Sequence, residues 1–293
     1  MKMKSNFATT FLLLLPALLF AQSPLSGFMK NKGKGATVLT YSFEKYDKVF
    51  LVPLEINGVP IFNDVEISSI SLYAEYALSN RLNLVFNLPY IKAEGNASDQ
   101  VLANNGFENV RQGIQDLKVY AKYDLTSFDF SEARLNFMGA VGFETPLGDY
   151  AVDEGLQSII AIGNRATTVN ATGIFMYKVN TGLFLTGQMG YSIKNGEVPN
   201  ALMSEFKIGY AGSRFYLDGF IANQLSDKDG VDILGEGFTG FFPATRVNYT
   251  RVGVNAYVPL IEGIGITGGV NQYVAGRNIG KSAGYYAGLA YSF

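Results

Sequence analysis

Large apolar side chains alternate with small or polar residues along most of the chain. Near the C-terminus, Tyr285, Leu289 and Tyr291 share one face, whereas Gly284 and Gly288 share the other. Successive side chains of a β-strand point to opposite faces, so a two-residue period predicts strands and excludes helices for such segments. The larger residues line one face throughout, which predicts a sheet with one consistently apolar surface.

Twelve segments show this alternation. They lie at roughly 36–46, 65–78, 82–92, 114–125, 133–144, 166–177, 181–193, 203–211, 213–224, 247–258, 263–275 and 283–293. Short connections alternate with longer polar or Gly-rich ones. An even number of strands of about ten residues, joined in this way, is typical of membrane barrels. The sequence therefore predicts an all-β fold, a closed antiparallel transmembrane β-barrel of about 12 strands with short periplasmic turns and long external loops.

A soluble β-sandwich or lipocalin-like barrel has the same period, and composition separates the two. Only 16% of the residues are charged, against 48% hydrophobic, and the chain has 33 Gly. The less apolar face carries mainly Gly, Ala, Ser, Thr and Asn, whereas a soluble surface is richer in Lys and Glu. The composition therefore favours a barrel whose apolar face contacts lipid.

The N-terminus has the pattern of an export signal. A basic start at Lys2 and Lys4 precedes ten apolar residues, too few to span about 30 Å of hydrocarbon. A buried N-terminal helix is the alternative. We predict a signal peptide over 1–21, a periplasmic lead-in over 22–35 and an outer-membrane β-barrel over 36–293, located in the Gram-negative cell outer membrane. Three lysines, Lys30, Lys32 and Lys34, are expected to be solvated in that lead-in.

Two residue types are missing, and this excludes much chemistry. The chain has no His and no Cys, so it lacks a histidine base, a thiolate nucleophile and the usual zinc ligands. We expect no enzyme activity, no cofactor and no catalytic or metal site. The formal charge of −2 also argues against a nucleic-acid partner.

Local motifs are weak. Two G-x-G-x-x-G matches fall in a loop and along a strand, not between a strand and a helix as a dinucleotide site requires. Asp227, Asp229, Asp232 and Glu236 in one long loop suggest Ca²⁺ ligands, but the glycine spacing does not match an EF-hand. A solvated acidic loop is the favoured interpretation, and Ca²⁺ binding stays open.

Short Gly-based motifs give a resemblance. They are Lys32-Gly33-Lys34-Gly35, then Gly113-Ile114-Gln115-Asp116 followed by Lys122-Tyr123, and Gly142-Phe143-Glu144-Thr145-Pro146-Leu147-Gly148-Asp149-Tyr150. Together they resemble the MetA-pathway of phenol degradation family of outer-membrane β-barrels, which is FadL-type transporter-like. The terminal Phe293, two residues after Tyr291, resembles the last-strand signature of outer-membrane proteins. That resemblance implies recognition of the last strand by the barrel-assembly machinery.

Assigning the apolar face to outer-membrane lipid places a set of polar and aromatic residues inside the barrel. These candidate lumen-lining residues are Tyr73, Glu75, Asp116, Lys118, Tyr120, Lys122, Arg134, Glu144, Lys207, Asp218, Tyr249, Arg251 and Tyr257. Their charges are balanced, and twelve strands allow either a narrow path or a filled interior. The leading hypothesis is passive uptake of a small, partly hydrophobic or aromatic solute. The alternative is a non-conducting surface barrel whose long loops bind an external partner, and an outer-membrane hydrolase is a distant third.

Overall fold

The computed structural model describes residues 24–52 and 55–293. The strands are β1 Gly35–Tyr46, β2 Lys48–Phe50, β3 Glu55–Asn57, β4 Asp64–Ser79, β5 Leu82–Asn96, β6 Val110–Ile114, β7 Asp116–Asp129, β8 Ala133–Pro146, β9 Thr168–Val179, β10 Leu183–Lys194, β11 Ala201–Ala211, β12 Tyr216–Ser226, β13 Asn248–Ile261, β14 Ile264–Arg277, β15 Ile279–Gly280 and β16 Ala283–Ser292. One α-helix, α1 (Asp99–Asn105), and two 3-10 turns, Gly155–Ile160 and Phe242–Ala244, complete the secondary structure of these described residues. The predicted signal peptide lies outside the described residues. None of the described helices is long and apolar enough to cross a membrane.

The long strands form one closed antiparallel barrel. Each pairs with its neighbours in chain order, and β1 pairs with both β4 and β16, which joins the two ends of the sheet. β6 and β7 pair with successive parts of β5 and act as one strand interrupted at Gln115. The barrel therefore has twelve strands, as the alternation predicted.

The larger apolar face points outward. Leu39, Val141, Met189 and Leu289 lie on different strands and are 53%, 62%, 60% and 61% exposed. Side chains this apolar are exposed in a stable barrel only where lipid, rather than water, surrounds them. The assignment of the faces from the sequence is confirmed.

Glycines on the inner face make room for tyrosine rings. Tyr120 of β7 is paired with Gly142 of β8, and a Cβ built on Gly142 would lie 2.2 Å from the Tyr120 ring. Tyr286 of β16 is paired with Gly269 of β14, where the corresponding distance is 2.5 Å. A ring that lies flat on the barrel wall thus needs a neighbour without a side chain, which accounts for part of the high glycine content.

The two ends of the barrel differ. Short turns join the strands at one end, here called the short-turn end. At the opposite, long-loop end, β2, β3 and β15 form a small separate sheet, which the sequence did not predict. An apolar cluster packs under these loops and includes Leu51, Phe62 and Ile160. The loops therefore form an ordered layer of structure over the barrel.

The sequence predicted a solvated lead-in, and for residues 24–30 this prediction is wrong. Residues 24–30 enter the barrel, where Leu25, Phe28 and Lys30 are 1%, 6% and 5% exposed. Only the last part agrees with the prediction, since Lys32 and Lys34 are exposed at the rim. The physical reason is that Phe28 and Leu25 bury apolar surface against inward-facing side chains, which a segment in water cannot do.

Candidate functional site in the barrel lumen

The structure places twelve of the thirteen predicted lumen residues inside the barrel. Eight are buried: Tyr73, Glu75, Tyr120, Lys122, Lys207, Asp218, Arg251 and Tyr257. Four are half-buried: Asp116, Lys118, Glu144 and Tyr249. Their burial is consistent with side chains on the inner face of the barrel wall.

Arg134 is the exception. Its place in the alternation of β8 predicts an inward side chain. However, it is the second residue of that strand, next to the short turn, and its side chain is 54% exposed. Its guanidinium is 3.5 Å from the Asp129 carboxylate across the short hairpin. Arg134 thus belongs to the outer rim of the short-turn end, because alternation fixes the face of a residue but not its depth in the barrel.

Aromatic rings close the lumen near the short-turn end. Phe28 of the inserted segment packs edge-on against Phe184 and Tyr216, with ring centroids 5.3 and 6.3 Å apart. Phe184 and Tyr216 in turn stack on each other at 5.5 Å. Residues 24–30 and these two rings together form a floor across the lumen.

A buried lysine anchors that floor. The Lys122 ammonium is fully buried and lies 2.9 Å from the Glu75 carboxylate. It also donates hydrogen bonds to the backbone carbonyls of Ser26 and Phe28, at 3.1 and 2.6 Å. Because both charges have left water, the pair is stable only while each partner is present. Lys122 therefore couples the barrel wall to the inserted segment.

Further carboxylates on the wall have partners as well. Glu144 accepts hydrogen bonds from Tyr120 and Asn170 at 2.6 and 2.8 Å, and the Lys118 ammonium lies 3.3 Å away. Glu205 is 2.9 Å from the Lys207 ammonium. These ion pairs neutralise most of the buried charge inside the barrel.

Asp218 is satisfied differently. It accepts hydrogen bonds from the Tyr216 hydroxyl and from Asn255, the latter at 2.7 Å. The Tyr286 hydroxyl then donates to the Asn255 side-chain oxygen at 2.8 Å. This network of neutral donors replaces a salt bridge for a buried acid.

Above the floor lies a polar cavity of about 260 Å³. Lys118, Glu144, Gln188, Tyr249 and Arg251 contribute to its wall, and Pro24 of the inserted segment closes one side. Such a cavity is large enough for several waters or one small organic molecule.

Several residues of this site were missed by the sequence analysis. Asn83, Asn170 and Asn255 supply hydrogen bonds to the buried acids, and Tyr273 contacts Arg251. The sequence could have indicated that these side chains point inward, because each alternates with outward apolar residues. Phe28 carried no periodic signal, since it precedes the first strand.

A second, apolar pocket of about 380 Å³ lies at the long-loop end. Its lining includes Leu51, Val59, Ile159, Ile233 and Phe242. Val247, the residue just before the strand that carries Tyr249 and Arg251, also lines it. The apolar pocket thus lies on the loop side of the polar cavity along β13.

A buried tyrosine borders the lumen below this pocket. Tyr150 donates a hydrogen bond to the Asp116 carboxylate, and its own oxygen accepts one from the Arg165 backbone at 3.1 Å. Burial and the hydrogen bond to Asp116 raise the pKa of the Tyr150 hydroxyl above its usual value. The loop of residues 147–167 is thereby attached to β7.

The acidic loop that suggested Ca²⁺ binding has other partners. Asp232 accepts hydrogen bonds from Arg277 and Asn278 at 2.7 and 2.9 Å, and Asp227 accepts one from Tyr191. The bonds from Arg277 and Asn278 hold the pKa of the Asp232 carboxyl below its usual value. Within the described part of the chain, no three acids converge into a metal-binding group.

Comparison with solved structures identifies the fold. The COG4313 outer membrane channel from Pseudomonas putida F1 superposes with a TM-score of 0.67 at 14% identity, covering 90% of this chain and 97% of that one. The chain has the fold of an outer-membrane channel. At that identity the likeness concerns the fold alone.

Two other outer-membrane proteins superpose less well. A FadL homologue from Pseudomonas aeruginosa has a TM-score of 0.37 at 9% identity over 89% of this chain and 90% of that one. The CymD monoaromatic hydrocarbon channel has 0.41 at 8% over 90% and 88%. No family model and no curated protein matches the sequence.

Proposed function

We propose that the protein mediates passive uptake of a small, partly hydrophobic or aromatic solute across the outer membrane. The observation that supports this proposal most directly is the apolar pocket of about 380 Å³ among the long loops. Long loops of outer-membrane barrels face the cell exterior. The pocket is therefore in the position where a solute arriving from outside first meets the protein.

The order of the two cavities also supports uptake. Val247 borders the apolar pocket, and Arg251, four residues further along β13, borders the polar cavity. Residues in a strand advance by about 3.3 Å each, and Tyr249 also lines the polar cavity, so the linings of the two cavities are only about 7 Å apart along β13. A solute that leaves the apolar pocket toward the barrel interior would enter the polar cavity and then meet the floor formed by residues 24–30.

Substitution of a pocket residue tests the proposal. Ile233 lines the pocket, whereas the next residue, Leu234, is 57% exposed. In proteoliposomes, we expect Ile233→Asn to slow the protein-dependent entry of benzyl alcohol, measured above that of protein-free liposomes, several-fold, because a polar wall weakens binding of an apolar ring. Leu234→Asn is the matched control and should leave the rate unchanged. Equal rates in wild type and Ile233→Asn would overturn the proposal.

One observation favours the second candidate, a non-conducting surface barrel that binds an external partner. Phe28, Phe184 and Tyr216 close the lumen, and the loops form an ordered layer at the other end. A protein that conducts no ions and passes no solute in proteoliposomes would support this candidate. Discrete current steps in a planar bilayer would support uptake.

A further inference from the structure

The polar cavity contains a buried guanidinium without a counter-ion. Arg251 is 8% exposed, and among the described residues no carboxylate oxygen lies within 4.0 Å of it. In contrast, Lys118, Lys122 and Lys207 have a glutamate at 3.3, 2.9 and 2.9 Å. Arg251 therefore differs from these three lysines of the barrel wall.

Its hydrogen bonds are also incomplete. A guanidinium has five N–H donors, and the described residues accept only one, from Nη1 to the Tyr273 hydroxyl at 3.3 Å. The Nε atom is enclosed and finds no acceptor in the part of the chain that the structure describes. A buried charged donor without an acceptor is costly, so such a group calls for an anionic partner.

Two tyrosine rings hold the side chain in place. The guanidinium carbon lies 5.9 Å from the centre of the Tyr249 ring and 5.3 Å from that of Tyr273. Cation–π attraction stabilises the charge from the ring faces, but it leaves the in-plane N–H donors available. Arg251 is thus fixed in orientation while its hydrogen-bonding edge is unsatisfied.

The surrounding acids have partners other than Arg251, although the Oε2 atom of Glu205 accepts no hydrogen bond from the described residues. Glu205 accepts from Gln188 at 2.6 Å and pairs with Lys207. Glu44 accepts from the Ser282 hydroxyl at 2.9 Å. The other cavity residues near β13 include the neutral Asn223. Within the described residues, the partner of the Arg251 guanidinium is therefore not supplied by the protein.

We infer that the cavity binds a small organic carboxylate, whose two oxygens pair with Arg251 and whose ring or chain packs beside Tyr249. The planar fork of a guanidinium matches the two oxygens of a carboxylate. A cavity of about 260 Å³ accommodates one aromatic ring. The inference rests on the proposed function and narrows its solute to one that is both partly apolar and anionic.

Calorimetric titration of the folded full-length protein in detergent tests this inference. The probe is benzoate, and benzamide is its neutral analogue of similar shape. We expect benzoate to bind at least about tenfold more tightly than benzamide, the effect of one charge-assisted hydrogen bond. Arg251→Gln should remove that preference, and Arg251→Lys, which keeps the charge, should retain part of it. Arg134→Gln removes an exposed arginine at the rim and should bind as wild type does.

The outcomes separate this inference from the proposed function. Equal binding of benzoate and benzamide, or unchanged benzoate binding in Arg251→Gln, would overturn the carboxylate site. Flux of neutral benzyl alcohol in a protein that does not bind benzoate would overturn the site and leave uptake standing. Benzoate binding that depends on Arg251, in a barrel that passes no solute, would support the site and overturn uptake.

Discussion

A single step along β10 moves a side chain from lipid to the lumen. Met189 is 60% exposed on the outer face, whereas its neighbour Gln188 lines the polar cavity and donates a hydrogen bond to Glu205 at 2.6 Å. The two residues are neighbours in one strand and lie at nearly the same depth in the barrel. Comparing them therefore isolates the effect of the surrounding solvent from that of strand propensity.

The same substitution at both positions measures this difference. Met189→Arg should lower the free energy of unfolding by about 2–4 kcal/mol, the cost of an arginine on the lipid face at mid-membrane. Gln188→Arg should cost much less, because the new charge meets a hydrated cavity and the Glu205 carboxylate. Equilibrium unfolding in lipid vesicles measures both values. A larger cost at Gln188 would show that the faces are assigned the wrong way round.

At the scale of elements, one side chain, Lys122, anchors the inserted segment of residues 24–30 to the barrel wall. Lys122 pairs with Glu75 and donates to two carbonyls of residues 24–30. Lys118 offers a matched control on the same strand, since its pair with Glu144 is partly exposed. Loss of one partner from a fully buried ion pair is more costly than loss from a partly exposed one.

We expect Lys122→Met to destabilise the protein by about 3–5 kcal/mol, because it leaves the Glu75 charge buried and unpaired. The same variant should raise the conductance in planar bilayers, since residues 24–30 lose their anchor. Lys118→Met should have the smaller effect on stability and should not reproduce the rise in conductance, because residues 24–30 keep their anchor. Unaltered conductance in a folded Lys122→Met protein would mean that Lys122 does not retain the segment.

The loop of residues 227–247 is held by a second local contact. Asp232 binds Arg277 and Asn278 at the long-loop end of β14. Asp229, in the same loop as Asp232, is exposed. The pKa of the Asp232 carboxyl is lowered by these bonds. A lowered pKa in the folded state means that the contact stabilises the loop above the ordinary carboxyl pKa of about 3.9 and is lost as the pH falls through the folded value.

Hydrogen exchange of residues 227–247, corrected for the intrinsic effect of pH, measures the strength of this contact. Asp232→Asn should exchange faster than wild type at pH 7, whereas Asp229→Asn should not. Wild type should approach the rate of Asp232→Asn only below about pH 4. Identical exchange in the two variants at neutral pH would argue against this role of Asp232.

At the scale of the whole molecule, stability depends on closure of the sheet. β16 pairs with both β1 and β14, and the backbone of Phe293 exchanges two hydrogen bonds with Gly35. In lipid there is no water to satisfy an open strand edge, so a closed barrel is far more stable than an open sheet. The last strand is therefore essential to the fold as a whole.

Electrophoresis without boiling tests closure. We expect the full-length protein in SDS to migrate as a compact, β-rich band that shifts to its unfolded position only after heating. A chain ending at residue 282, which lacks β16, should show no such shift because its sheet cannot close. A full-length protein that is monomeric and stable in water without detergent would contradict the membrane barrel.

The local pattern of the sequence by itself determined the strands, their number and the face that meets lipid. This was possible because alternation depends only on neighbouring residues, so Leu289 and Gly288 already indicate opposite faces. Depth in the barrel and contacts across the lumen depend instead on how strands far apart in sequence are brought together. Only the tertiary structure therefore placed Arg134 at the rim, paired Lys122 with Glu75 and the segment containing Phe28, and left Arg251 without a counter-ion.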